Sequence, residues 1–136
     1  MTANKDVLLG LDVGERRIGV AIGDSIARLA SPLTTLEVDG LEMVRLQRLQ
    51  LEHDVTGLVV GLPRNMSGEP TAQTDYVKQF AVRRLSAFEL PLSYQDESLT
   101  SVKAEQELQA RKKPFSKGDI DALAATYILQ DYMEAL

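Results

Sequence analysis

The run Val55-Thr56-Gly57-Leu58-Val59-Val60-Gly61-Leu62 limits the fold more than any other segment of this chain. A strand-length stretch that is apolar at nearly every position has no face to give to water. It therefore belongs in a sheet covered on both sides, as parallel sheets are. Pro63 stops it. Before it, Leu41 to His53 has the spacing of an amphipathic helix (Leu41, Val44, Leu46, Leu49). After it, Arg64 to Pro70 is a loop by its turn residues, and a helix is predicted from about Thr71 to Phe88 with Val77, Phe80, Ala81 and Leu85 on one stripe. With 136 residues, 44% hydrophobic and 26% charged, the chain fits one domain over residues 1–136 and has no room for a second.

The flanking segments complete an α/β pattern. Asp6–Leu11 and Arg17–Ile22 read as strands joined by a tight antiparallel hairpin through Asp12-Val13-Gly14. Leu29–Val38 is a third strand, in which Pro32 indicates an edge position or a bulge, and Asp39-Gly40 ends it. Leu90–Gln95 is a short strand, Thr100–Gln109 a helix, and Ala110–Lys117 a basic loop. Ser116 with Asp119 three residues later starts the last helix as a capping box, and that helix runs to about Met133. The predicted order is βββαβαβαα, a mixed sheet with helices on its faces.

Three acidic residues stand at the ends of apolar stretches: Asp12, Glu97 and Asp121. A carboxylate at the edge of a core costs free energy unless a cation pairs with it, and three together repel. A hard divalent cation resolves both difficulties, because it takes oxygen ligands. The chain has no cysteine and only His53, so carboxylates must carry any metal chemistry. Ligand sites in open α/β sheets form beyond the carboxyl ends of strands, where Asp12 and Glu97 lie. Neighbouring acids separate on geometry. Asp96 and Glu97 point to opposite faces of an extended segment. Asp119 and Asp121 lie about 200° apart on a helix, and Asp119 already serves the capping box. Two of the acids also have a plain reading taken alone: Asp12 as a turn former, Glu97 as a charge ahead of the helix at Thr100. Convergence on one rim is the stronger case.

The net charge of −5 argues against broad non-specific binding of nucleic acid but leaves room for local basic patches. These are Arg16 with Arg17, Arg83 with Arg84, and Arg111, Lys112, Lys113 and Lys117. Arg16, Arg17, Arg64, Asn65 and Lys117 are the candidates for nucleic-acid contact near the rim, with a solvated surface as the equal alternative. Tyr76, Tyr94, Tyr127 and Tyr132 are assigned to core packing rather than base stacking. No run approaches the eighteen or so apolar residues of a membrane span, and MTANKDVLL lacks the basic start of a signal peptide. A cytoplasmic location follows.

Four blocks carry a family resemblance: LGLDVGERRIGVAIGD (residues 9–24), VVGLPRNMSG (59–68), DESLTSVKAE (96–105) and KGDIDALAATYILQDY (117–132). In these the chain resembles the YqgF (RuvX) family, described as Holliday junction resolvases and as nucleases that process the 5′ end of pre-16S rRNA. The resemblance implies a ribonuclease H-like fold with a mixed five-stranded sheet. It implies hydrolysis of phosphodiester bonds with two Mg²⁺ or Mn²⁺ ions, and places the acidic positions on Asp12, Glu97 and Asp121. Asp12 would bridge the ions from the centre of the sheet. The implied partners are pre-16S rRNA or branched DNA, a second copy of the chain if junctions are cut, and ribosome-assembly or recombination proteins. One departure stands out: Ser98 occupies the place of the family's usual arginine. Two rivals remain: a non-catalytic RNA- or ribosome-assembly-binding module, and an ATP-phosphate-binding domain of the sugar-kinase, Hsp70 and actin type. The latter needs two such domains around the nucleotide.

Overall fold

The computed structural model describes residues 5–97 and 100–136. The elements are β1 (Val7–Val13), β2 (Arg17–Asp24), β3 (Ser31–Glu37), α1 (Glu42–His53), β4 (Gly57–Pro63), α2 (Ala72–Arg83), a 3₁₀ turn (Leu85–Phe88), β5 (Leu92–Glu97), α3 (Thr100–Ala110) and α4 (Lys117–Glu134). They form one five-stranded sheet in the order β3-β2-β1-β4-β5. β1 is central, antiparallel to β2 and parallel to β4, and β5 continues parallel at the edge. The predicted order and mixed sheet are both present.

Residues Gly57 to Leu62 of β4 are all buried, as the apolar run requires. Alternation then sorts the strands into two faces. Leu9, Leu11, Val13, Ile18, Val20, Leu58, Val60 and Leu62 pack with Leu46 of α1 and with Val77, Phe80 and Ala81 of α2. On the opposite face, Ala21 and Val59 meet Ala125, Ile128, Leu129 and Met133 of α4. A smaller cluster joins α3 to α4 through Ala104, Leu108, Leu123 and Ala124. A fully buried Leu or Val contributes about 1.5–3 kcal/mol, so the first face carries most of the apolar stabilisation.

Several boundaries differ from the sequence reading, each for a local reason. β1 runs on through Asp12 to Val13, because the ladder to β2 persists to the pair Val13–Ile18 and the chain turns only where Gly14 N donates to Arg17 O at 3.0 Å. Asp12 thus lies inside a strand, not at its end. β3 starts at Ser31: Arg28 takes a left-handed conformation (φ 54°), and Ala30 N donates to Gln130 Oε1 at 2.9 Å instead of joining the sheet. Both expectations from Pro32 hold, since β3 is an edge strand and its register against β2 shifts at Val20/Ala21. The predicted single helix over 71–88 is α2 followed by the 3₁₀ turn, and the Ser86 hydroxyl donates to Val82 O at 2.7 Å across the break. β5 is displaced two residues towards Glu97, because Pro91 has no N–H for the ladder and only its carbonyl is used, by Leu58 N. The capping box of α4 forms as predicted, with Asp119 N to Ser116 Oγ at 3.2 Å and Ser116 N to Asp119 Oδ2 at 2.9 Å. Ser98 lies outside the described residues.

Candidate active site

Alternation along β1 sends Leu9, Leu11 and Val13 to the α1/α2 face, so Asp12 projects towards α4. Two in-strand glycines let α4 come close enough to meet it. Asp12 pairs with Gly19 of β2, and a Cβ on Gly19 would stand 2.0 Å from the carbonyl oxygen of Asp121. On β4, a Cβ on Gly61 would stand 2.5 Å from Ile128 Cδ1 and 3.2 Å from the carboxyl carbon of Glu97. Helix backbone therefore lies directly on strand backbone, with Asp121 beside Asp12 on one flank. Glu97 comes from the other flank, at the end of β5 opposite Pro63. Glycine inside a strand marks such close approach, and it was the available signal for these two positions.

Asp12, Glu97 and Asp121 line one cleft of about 260 Å³ with Gly14, Arg17 and Gln73. Arg17 Nε donates to Asp121 Oδ2 at 2.5 Å. The Thr100 hydroxyl donates to Glu97 Oε2, so the plain reading of Glu97 as an acceptor ahead of a helix also has a physical counterpart. Gln73 Nε2 donates to Val13 O at 3.3 Å, bringing the start of α2 to the cleft. Gln73 and Thr100 were not singled out from the sequence; both stand near helix starts, where polar side chains are common for capping alone.

The electrostatics single out Asp12. Its carboxyl is pushed up to about 8 by burial, then by Glu97, then by Asp121. Glu97 is raised by burial, against the lowering effect of the Thr100 hydrogen bond. Arg17 is held protonated above its ordinary range by its hydrogen bond and charge attraction to Asp121. Carboxyls whose charged forms lack compensation favour a positively charged ligand, and the all-oxygen donor set fits a hard divalent cation. Among the described residues, no group of three acidic or histidine side chains is arranged to hold a metal ion in the present rotamers. Asp121 is engaged by Arg17, and Glu97 by Thr100.

The other predicted contacts divide. Arg17 is in the cleft. Arg64 pairs with Asp96 at 3.1 Å and, with Asn65 and Glu97, lines an adjoining cavity of about 220 Å³. Asn65 shapes that loop: its Oδ1 accepts from Ser67 N and Glu69 N, both at 2.9 Å. Arg16, in the β1–β2 turn, and Lys117, at the start of α4, are exposed. Asp96 points away from the cleft and Asp119 is spent on its cap. His53 ends α1. The tyrosines correct the core assignment in part, since Tyr94 is 39% exposed on the edge strand. Tyr127 donates to Glu107 at 2.6 Å, and its hydroxyl is pushed up to about 12 by burial and by Glu107.

Comparison with known proteins agrees with this architecture. A family model described as "RuvX: Holliday junction resolvase" matches residues 6–135. A protein of Chloroflexus aurantiacus, named "Putative pre-16S rRNA nuclease", is 47% identical over 97% of this chain and 89% of its own length. Proteins of the same name from Crocosphaera subtropica (45% identical, 93% of this chain, 91% of theirs) and Lactobacillus gasseri (40%, 94%, 95%) match similarly. Among solved structures, Thermus thermophilus RuvC in complex with a Holliday junction superposes with a TM-score of 0.57 at 17% identity, covering 95% of this chain and 94% of that one. The fowlpox virus resolvase bound to junction DNA gives 0.51 at 12%, covering 95% and 97%. Those likenesses place the fold with the ribonuclease H-like resolvases.

Proposed function

The chain belongs to the RuvX family of nucleases, and on that premise we propose that Asp12, Glu97 and Asp121 are its catalytic carboxylates and hold Mg²⁺ or Mn²⁺ during phosphodiester hydrolysis. The observation that carries this reading is Asp12 itself: a carboxyl held between two others in one cleft and pushed up to about 8. Such ions supply Lewis acidity and an activated water when bound, and a pair of them serves both sides of the scissile bond. The chain's own residues do the rest. Asp12, on the central strand, would hold the ions together with Glu97 and Asp121 on either side of it. Glu97 is oriented by the Thr100 hydroxyl, and Asp121 by the backbone contact over Gly19. Arg17 and Arg64 lie where phosphate oxygens would pass, and guanidinium forks suit them. Arg16, Asn65 and Lys117 are weaker candidates for that contact.

The substrate is most simply pre-16S rRNA, the class named for relatives at 40–47% identity, cut at its 5′ end as the family resemblance implies, which would place the protein in the cytoplasm. Junction DNA is the second reading, favoured by the family description. Trimming an RNA end needs one cut and one copy, whereas resolving a junction needs two symmetric cuts and a dimer. The test is cleavage, with Mg²⁺ or Mn²⁺, of a pre-rRNA 5′ fragment, a single-stranded DNA and a four-way junction side by side. Asp12→Asn serves as the control. Preference for the RNA fragment supports the first reading and preference for the junction reverses it. Full activity of the control removes the carboxylate assignment. Rescue of a deletion strain by Asp12→Asn would mean that binding, not cleavage, is what the cell requires.

A further inference from the structure

Arg17 is the only cationic side chain lining the cleft among the described residues, and it is committed to one of the three carboxylates. Its Nε stands 2.5 Å from Asp121 Oδ2, with the two side chains 28% and 20% exposed. The pair is built into the fold. Arg17 leaves β2 two residues before Gly19 and so projects to the same face, where the close approach over Gly19 seats Asp121. By contrast, no described residue donates a hydrogen bond to the Asp12 carboxylate. Among the described residues, one guanidinium thus supplies the only positive charge lining a cleft of three carboxylates. A divalent cation binding to Asp121 shares that carboxylate with Arg17, and its charge repels the guanidinium at short range.

We propose that Arg17 is a positioning residue that stands in for the cation in the cation-free protein. It keeps Asp121 in place and competes with the metal for that carboxylate's charge. This rests on the reading of Asp12, Glu97 and Asp121 as metal-holding residues. Its consequence is that Arg17 stabilises the cleft when no cation is bound and weakens cation binding to it.

The experiment is calorimetric titration of Mn²⁺ into the full chain without nucleic acid, together with thermal melting at zero and saturating Mn²⁺. Arg17→Gln and Arg17→Met should each bind Mn²⁺ about fivefold tighter than the parent, the change expected from freeing a partly exposed carboxylate. Both should melt lower than the parent without Mn²⁺, and the gap should narrow at saturation. Arg17→Lys, which keeps the charge, should return affinity close to the parent's. Unchanged or weaker Mn²⁺ binding in both neutral variants, with melting lowered equally at zero and saturating Mn²⁺, overturns the proposal and leaves Arg17 a structural ion pair. Asp12→Asn and Asp121→Asn separate this from failure of the site itself. If both bind Mn²⁺ as the parent does, the carboxylate site is wrong and the inference falls with it. If they lose binding while the Arg17 variants match the parent, only the inference falls.

Discussion

The two faces of the sheet are packed by different means. Against α1 and α2 the strands present Leu9, Leu11, Val60 and Leu62, and the helices answer with Leu46, Val77 and Phe80. Under α4 the strands present glycine and small residues, and the helix answers with Ala125 and Ile128. Large side chains hold layers apart at side-chain length; glycine brings backbone to backbone. The first face stabilises the fold, and its geometry can adjust by a rotamer. The second fixes where Asp121 and Glu97 stand relative to Asp12, and it has no slack. Close backbone packing under α4 therefore sets where the three carboxylates stand, while the α1/α2 face carries the larger share of the apolar burial.

The sharpest way to break that division is Asp12→Asn. It should lower cleavage by roughly 10³-fold or more, the several kcal/mol expected when a metal-holding charge is lost, with an unchanged circular dichroism spectrum. Gly19→Ala comes next. Its Cβ would meet the Asp121 carbonyl at 2.0 Å, so α4 must shift. A loss of about 1–3 kcal/mol in urea unfolding is expected, with activity per folded molecule down at least roughly tenfold. Leu46→Ala tests the opposite face. It should cost about 2–5 kcal/mol while leaving turnover per folded molecule unchanged, and a matching loss of turnover would erase the distinction between the faces.

A further test is pH-dependent stability without metal. Folding raises Asp12 from 3.8 to about 8, so the fold favours its protonated form. That contribution is fully present below the unfolded value and is lost as pH rises through about 8; the raised Glu97 acts in the same direction. The metal-free protein should therefore melt progressively lower between about pH 5 and pH 8, by roughly 4 °C for each kcal/mol lost. Asp12→Asn should show a shallower decline in differential scanning fluorimetry. Parallel curves for the two proteins would mean that Asp12 is ordinarily solvated.

Much of this was legible along the chain. The near-continuous apolar character of 55–62 demanded a two-sided sheet, and Gly57 to Leu62 are all buried. The Ser116–Asp119 capping box fixed the start of α4, and hence which of Asp119 and Asp121 turns towards the sheet. Alternation separated Glu97 from Asp96, because the two-residue period of a strand is geometric and needs no tertiary partner. Boundaries were less legible where long-range bonds set them: β1 continues through Asp12 because β2 pairs with it, and β3 starts late because Ala30 bonds to Gln130 of α4.

The sequence by itself determined the element order, the two-sided sheet and the identity of the three acids, since each follows from local periodicity and residue chemistry. Only the tertiary structure decided how those acids meet. Gly19 and Gly61 lie more than thirty residues from the side chains they admit, so an in-strand glycine signals a close approach there without saying that Asp121 and Glu97 make it. The pairing of Arg17 with Asp121 joins residues from opposite ends of the chain, and only the close packing of α4 on β2 brings those charges within reach of each other.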